Sequence, residues 1–438
     1  MSKLSLFAVA VLPVIATPLN AQIPQVVGIT KSTPVVMQQL MSTQLRCAQI
    51  SCKLTFEKQT LAGAGGSAYD SRLGGLWITN GLSLACVDVV TCKFICPPVK
   101  MPVPLLGFAK PWCTGLAYVD SGALKSGATA PGWLFASYNT GDIARIDVSK
   151  CSLKARFCKA TGLPTGYVIG GLATDDVKRL LYVGASNSTG GRIITVAPID
   201  PTLGSATPWC NPTCRLVVPA CSSTSTLGPI QGLAHDGCTG MIYVTDGKQT
   251  LWGPVTGLGT TRCAITVRGC CPLKVSTAGD TYTGLCLRPT PPTSHGKSCT
   301  VPSCNNCSAV MQAALVGDAN LGNPAFGLGL RNAPSNSDAA AFALNLGACT
   351  SPGVNLSFCQ PVLVPLGPTP PLVLLFFGLS AVSGSCNRNR TVPAPLPLTP
   401  SLCGQVFSFQ WVVRCPPTPA GPGNFGITNC VTARISGS

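Results

Sequence analysis

The sequence predicts an all-β protein, a disulfide-rich β-propeller of five blades (six as the alternative) followed by a C-terminal β-sandwich. Three observations carry this expectation. Two strand-like signals recur together about every fifty residues, the size of a propeller blade. Cysteine recurs with them, and 25 cysteines in 438 residues suit an oxidising compartment. Glycine (47) and proline (39) interrupt every stretch that could hold a long helical period.

The first signal is an anchor of the form Gly-Leu-Ala-aromatic-Asp. It reads Gly66-Ser67-Ala68-Tyr69-Asp70, Gly115-Leu116-Ala117-Tyr118-Val119-Asp120, Gly171-Leu172-Ala173-Thr174-Asp175 and Gly232-Leu233-Ala234-His235-Asp236, with a degenerate Gly284-Leu285-Cys286-Leu287. Successive anchors lie 49, 56, 61 and 52 residues apart. The first four are each followed by a second strand, at 76–79, 133–136, 181–184 and 242–245, and a polar turn leads to a third, as at 141–147 and 191–196. A solenoid needs shorter units and an immunoglobulin-like array nearly twice the length per domain.

The second signal is a cysteine unit: Cys86 with Cys92, Cys151 with Cys158, Cys214 with Cys221, and Cys263 with Cys270. On a straight strand two cysteines seven positions apart stand roughly 23 Å apart, at about 3.3 Å per residue. A disulfide tolerates only about 7 Å between Cα atoms. Either the chain turns between them, closing a hairpin at the blade edge, or each pairs elsewhere. Recurrence in four copies favours a local pair in each blade. Five anchors meet only four such units, and Cys47 with Cys52 upstream supplies the fifth if N-terminal strands pair with the last blade to close the ring.

The N-terminus reads as a secretory signal at residues 1–21: Lys3, an apolar run over 4–16, and Leu19-Asn20-Ala21 before Gln22. The propeller is expected over 22–290, a Cys/Pro-rich linker over 291–310, and the sandwich over 311–438. In that last region 322–330, 342–346, 362–366, 372–379, 407–413 and 431–435 read as short strands between proline-rich turns. The greasy run at 372–379 is too short to span a bilayer and reads as a buried strand. All 25 cysteines follow the expected cleavage point, so up to twelve disulfides can form and one thiol is left over. Zinc at Cys304 and Cys307 is disfavoured, because only His235 and His295 could add imidazoles and exported cysteines are usually oxidised.

A formal charge of +16 comes from 30 Lys and Arg against only 14 acidic residues. The basic residues are scattered, densest at Lys150/Lys154/Arg156/Lys159 and at Arg388/Arg390, without the polybasic runs of a nucleic-acid binder. Weak attraction to anionic polymers or envelope surfaces fits this pattern; specific nucleic-acid binding does not.

The anchors, the cysteine units and the C-terminal motif together resemble secreted, cysteine-rich propeller proteins of planctomycete-type aquatic bacteria. That motif is Gly-Asn-Pro-x-Phe-x-Leu-x-Leu-x-x-Ala-Pro over 322–334, then Leu396-Pro397-Leu398 and Gly404 with Gln410-Trp411. The resemblance implies fold and export but no activity. The blade signal is also similar to NHL- and regucalcin-like propellers, some of which hold a channel metal with Glu, Asp and Asn; no matching constellation stands here.

Candidate chemistry is thin. Asp70, Asp120, Asp175 and Asp236 occupy one position in successive repeats, where an aspartate hydrogen-bonds backbone amides and shapes the turn. Asp142, Asp246 and Asp280 beside glycine invite the same reading. His235 replaces the anchor aromatic, so packing is favoured over general-base chemistry, and His295 falls in the proline-rich joint. Trp112-Cys113 and Trp209-Cys210 each follow a proline; such tryptophans can stack on a sugar, but core packing against a disulfide is the commoner fate and is favoured. No catalytic set, cofactor site or metal site is expected. The leading functional expectation is a secreted, non-catalytic scaffold that recognises an extracellular or envelope component such as anionic polysaccharide. Alternatives are a hydrolase or lyase with its site in the propeller channel, and a self-assembling surface protein.

Overall fold

The computed structural model describes residues 25–30, 35–40, 51–54 and 65–437, except 72, 90, 92, 105–110, 120–131, 149–150, 152, 200–207, 222–226, 259–262, 274–280, 290–291, 301–303, 305–309, 324, 357–358, 366–372, 380–388, 398 and 416–424. These residues form β-strands and two short 3-10 turns. No helix among them is long and apolar enough to cross a membrane.

The chain opens with β1 (Gln25–Thr30), β2 (Val35–Leu40) and β3 (Ser51–Leu54). Four meanders follow. The first is β4 (Gly66–Asp70), β5 (Gly75–Thr79), β6 (Ser83–Asp88) and β7 (Phe94–Lys100). The second is β8 (Cys113–Val119), β9 (Trp133–Tyr138), β10 (Asp142–Asp147) and β11 (Lys154–Lys159). The third is β12 (Val168–Asp175), β13 (Leu180–Ser186), β14 (Arg192–Pro198) and β15 (Cys214–Val217). The fourth is β16 (Gly232–Asp236), β17 (Met241–Thr245), β18 (Gln249–Thr256), β19 (Ala264–Ile265) and β20 (Gly269–Pro272). The next strand, β21 (Tyr282–Arg288), takes β1 as its neighbour, giving a fifth sheet in the order β21-β1-β2-β3. Chain start and chain end of the ring are thus stitched by backbone hydrogen bonds.

The five anchors are the five inner strands. They neighbour one another in the cycle β4, β8, β12, β16, β21 and back to β4. The leading glycine of each anchor explains how they come so close. A Cβ on Gly66 would lie 2.8 Å from the Cα of Gly115, one on Gly115 2.9 Å from that of Gly171, and one on Gly171 2.9 Å from that of Gly232. The cycle closes through Gly232, whose Cβ would meet Gly284 at 3.1 Å, and Gly284, whose Cβ would meet the backbone nitrogen of Ser67 at 2.8 Å. Only glycine permits this backbone-on-backbone approach. Strands β4 and β5 are buried at every position because neighbouring sheets cover both faces, whereas the outer β7 and β11 are largely exposed.

Disulfides rivet the outer edges. Cys96–Cys151 joins the first sheet to the second, Cys158–Cys210 the second to the third, and Cys214–Cys263 and Cys221–Cys270 the third to the fourth, with Cα separations of 5.6 to 6.2 Å. This corrects the local pairing expected within the units. Cys151 and Cys158 bond different neighbouring sheets, whereas Cys214 and Cys221 both bond the fourth sheet, through Cys263 and Cys270. The reason is geometric: β11 is extended from Lys154 to Lys159 and carries Cys158 away from Cys151, while Cys96 and Cys210 of the flanking sheets lie alongside. Of the remaining candidates, Cys86 sits opposite Cys96 in the β6–β7 register and Cys52 falls in β3. Cys47 and Cys92 lie outside the described residues. Cys113 and Cys286 are buried thiols.

The rest of the chain builds two further sheets. One runs β22 (Thr293–His295), β30 (Cys430–Arg434), β28 (Val406–Arg414), β25 (Ala339–Leu346) and β26 (Val373–Gly378), with β29 (Phe425–Ile427) on β28. The other is β23 (Gln312–Val316), β24 (Gly327–Arg331) and β27 (Arg390–Pro393). A single apolar core joins them, with Leu328 and Leu330 of one sheet against Phe342, Phe409 and Trp411 of the other. Cys299–Cys359, Cys304–Cys415 and Cys349–Cys430 staple this unit. The stretch at 291–310 therefore contributes a strand and two bonded cysteines to the C-terminal sheets.

Candidate functional site

The axis of the ring is the first place to look for chemistry. Three successive residues of each inner strand line it, among them Ser67, Tyr69, Tyr118, His235 and Cys286. The space between them is about 40 Å³, room for a few waters at most. Burial pushes the Cys286 thiol up to about 12, which keeps it protonated and unreactive.

The anchor aspartates turn away from this channel into the hairpins that follow. Asp70 accepts from the Leu73 backbone N–H at 3.1 Å and the Trp77 indole N–H at 3.2 Å. Asp175 accepts from the Lys178 N–H at 2.9 Å; Asp236 accepts from the Cys238 N–H at 3.0 Å and the Thr239 hydroxyl at 2.6 Å. Asp246 does the same for a later turn, accepting from Lys248, Gln249 and Gly228 N–H groups at 2.8, 2.8 and 2.7 Å. Asp142 accepts from the Thr140 hydroxyl at 2.5 Å and stands 3.9 Å from the Lys159 ammonium. Asp120 and Asp280 lie outside the described residues.

His235 is the one titratable imidazole in the propeller, and it is buried. Its ring stacks on Tyr182, centroids 4.7 Å apart, and its Nε2 stands 3.7 Å from Asp175 Oδ2. Neither ring nitrogen has a hydrogen-bond partner among the described residues. Burial holds the imidazole down at about 4, so it is neutral at physiological pH, and burial raises the Asp175 and Asp236 carboxyls. This is an interior polar pair, and the space that His235 lines among the described residues is about 40 Å³. His295 is exposed in β22, its Nε2 3.0 Å from the Thr293 hydroxyl.

The C-terminal unit sits over the anchor-aspartate end of the ring. The Tyr69 hydroxyl donates to Asp318 Oδ2 at 2.6 Å, and the Asp318 N–H reaches the Ser71 carbonyl at 3.4 Å. Burial raises the Asp318 carboxyl, against the lowering pull of that Tyr69 bond. Val177 packs on the C-terminal core, and Cys238–Cys403 ties the β16–β17 hairpin to it. Hairpin tips of three sheets are thus engaged from one side. A groove of about 890 Å³ follows this junction, lined by Leu73, Lys297, Gln312 and Asp318 among others.

A second arrangement, not anticipated from the sequence, lies between the second and third sheets. The Arg145 guanidinium lies 3.6 Å from the centroid of the Trp133 ring and 4.7 Å from that of Trp209. Trp209 is buried in the 3-10 turn Pro208–Cys210, which the Cys158–Cys210 bond holds against β11. The other Trp-Cys pair behaves differently: Trp112 is 41% exposed beside a buried Cys113. The basic cluster read in sequence had Lys154 and Arg156 but missed Arg145. Pairing of β10 with β11 alone brings Arg145 opposite Arg156.

The sequence matches no protein family and no curated protein. Among solved structures it is similar to the β-propeller domain of Myceliophteria thermophila Cps50 (Swd1), at 12% identity and a TM-score of 0.30, covering 53% of this chain and 63% of that one. A Desulfotomaculum acetoxidans protein of unknown function is similar at 9% identity and 0.32, covering 60% and 88%. Chaetomium thermophilum Raptor is similar at 10% and 0.29, covering 50% of this chain and 17% of its own length. Scores this low carry nothing about function, and the architecture rests on the sheets themselves.

Proposed function

We propose that this is an exported, non-catalytic scaffold that recognises an extracellular or envelope component, with polysaccharide as the partner class. The observation that carries the reading is the narrow axis: a space of about 40 Å³ among the described residues beneath a covering C-terminal unit, with the described anchor aspartates committed to turns. A hydrolase or lyase working in the channel needs room for a substrate and carboxylates aimed into it, so the binding reading is preferred. Inter-sheet disulfides support the extracellular setting, since such bonds persist in oxidising compartments. The signal at 1–21, the five-blade count, the sandwich and the kinship with planctomycete-type or NHL/regucalcin-like propellers belong to the same proposal and rest on the motifs and sheets described above.

The test is retention of the oxidised mature protein on immobilised polysaccharides and envelope fractions, at low and at high salt. Salt-resistant retention on one class is the expected outcome. Absence of retention on all of them would overturn the reading and return attention to self-assembly and to the channel.

A further inference from the structure

We infer that the groove between the two C-terminal sheets is a docking site for an extended, acidic segment of a protein partner, which pairs with β23 as an added strand. The inference goes beyond the polysaccharide reading and stands or falls separately from it.

The groove is bounded by strand edges. β22 is the outermost strand of one sheet and β23 that of the other, and residues of both line its volume of about 890 Å³. Asn429 ties the two together: its Nδ2 donates to Ser294 Oγ at 2.8 Å, and its Oδ1 accepts from the Ala313 N–H at 2.9 Å. The same Nδ2 reaches the Ala313 carbonyl at 3.4 Å. Ala313 therefore turns both backbone groups away from β24, and the ladder bonds to β24 fall to Gln312, Ala314 and Val316. Strand alternation points the N–H and C=O of Leu315 the same way as those of Ala313, towards the groove that Leu315 lines. Asn429 blunts this edge at Ala313. At Leu315 nothing does: its N–H and C=O have no partner among the described residues.

An open donor and acceptor on one residue are what an incoming extended chain pairs with, since opposed residues of an antiparallel pair exchange both bonds. The Leu315 side chain is half-buried against the core that the two sheets share, and Val431 of that core also lines the groove. Alternate side chains of an added strand can therefore rest on the seam of an existing core while the others face water. Charge narrows the partner further. Only Lys297 and Asp318 are charged among the lining residues. Asp318 accepts from the Tyr69 hydroxyl and feels the charge of Arg288, whereas Lys297 is exposed and has no carboxylate partner among the described residues. The uncommitted charge is positive, so a segment carrying Asp or Glu is complementary to it. The five residues of β23 span about 17 Å at about 3.4 Å each, which sets the length of chain that can pair. Because Asn429 already holds β22 and β23 in place, the groove is set before a partner arrives.

The probe is a displayed library of short linear peptides selected on the oxidised full chain. The best binder is then made with a fluorophore, and again with the backbone nitrogens of alternate residues methylated, in each of the two registers. The variants are Leu315→Pro, which removes the outward N–H without taking a ladder bond, Lys297→Glu, and Lys248→Glu as a control at an exposed turn of the fourth sheet. Circular dichroism and a thermal scan establish that each variant folds; the methylated peptides and Lys297→Glu carry the test if Leu315→Pro does not. The selected peptide is expected to contain Asp or Glu and to protect the amides of 313–316 from hydrogen exchange. Its affinity should fall tenfold or more with Leu315→Pro, with Lys297→Glu and with methylation in one register, and at most threefold with Lys248→Glu. Selection of no peptide, or a peptide indifferent to both site variants and to methylation, would overturn the inference. Equal losses with Lys297→Glu and Lys248→Glu, or full displacement by dextran sulfate with Leu315→Pro harmless, would overturn strand pairing in favour of diffuse charge. Self-association of the chain without peptide, abolished by Leu315→Pro, would overturn the choice of partner in favour of a second copy. Polysaccharide retention is measured separately, so failure here leaves that reading standing.

Discussion

Replacing Gly171 by alanine tests the architecture at one of the close contacts of the inner ring. The added Cβ would stand 2.9 Å from the Cα and carbonyl carbon of Gly232 and from the Leu233 nitrogen, where ordinary contact begins at 3.4 Å. Strands β12 and β16 would have to part by about half an ångström, and the atoms in the way are backbone, so no rotamer change relieves the clash. Gly232 is itself pressed against Gly284, and Gly284 against the Gly66–Ser67 backbone, so displacement on one side reaches every other contact of the ring. Overpacking typically costs about 1–3 kcal/mol, and a clash of backbone on both sides belongs at the upper end. For a unit of roughly 250 residues, 3 kcal/mol corresponds to a fall of about 6–12 °C in Tm. The assay is urea unfolding under non-reducing conditions, comparing midpoints at unchanged slope. Gly228→Ala is the control, because its Cβ would meet only Asp246 side-chain atoms at 3.4 Å or more; it should be neutral or gain about 0.4–1 kcal/mol. An unchanged midpoint in Gly171→Ala, or equal losses in the two variants, would refute the closed ring of inner strands.

Non-reducing digestion should release Cys96 linked to Cys151 and Cys158 linked to Cys210; a peptide linking Cys151 to Cys158 would contradict the inter-sheet rivets. Removing both Cys158 and Cys210 as alanines should cost about 4 kcal/mol in the chain-entropy account of a bond spanning some fifty residues, read by urea midpoint. His235, held neutral by burial, binds its proton in the folded state only near pH 4 but at about 6.5 when unfolded. Its contribution is therefore complete above pH 6.5 and is lost as pH falls towards 4, about 3 kcal/mol in all. The raised Asp175 and Asp236 carboxyls act in the opposite sense, their contribution declining as pH rises through and above the unfolded value. His235→Phe should accordingly flatten the loss between pH 6.5 and 4 relative to wild type, and an identical pH profile would count against a neutral buried imidazole. Asp246→Ala deprives three backbone N–H groups of their acceptor and should cost about 2 kcal/mol, with Asp246→Asn recovering part; full stability in the alanine variant would remove the turn role.

Much of the fold is written locally. The anchors announce the inner strands because a strand covered on both faces must be apolar nearly throughout, and a turn must follow it, which an aspartate shapes through neighbouring amides. Asp70, Asp175 and Asp236 were legible for that reason, as was His235, standing in an aromatic's place. Cysteine pairing was not. Repetition suggested that each unit closes on itself, but a repeat places equivalent cysteines one sheet apart as regularly as it places them within a sheet. The choice depends on whether the fourth strand bends or runs straight. In the second sheet β11 extends over Lys154–Lys159 with Cys158 near its end, and the bonds go across.

The sequence by itself determined strand content, repeat length and the turn role of Asp70, Asp175 and Asp236, since each follows from residues close together in the chain. Tertiary structure alone decided the glycine ring, the cover over the axis and the Arg145 seat between Trp133 and Trp209. Gly171 meets Gly232, Tyr69 meets Asp318 and Arg145 meets Trp209 across 61, 249 and 64 positions. Contacts over such separations are set by how sheets stack around an axis, and no local pattern of residues encodes that stacking.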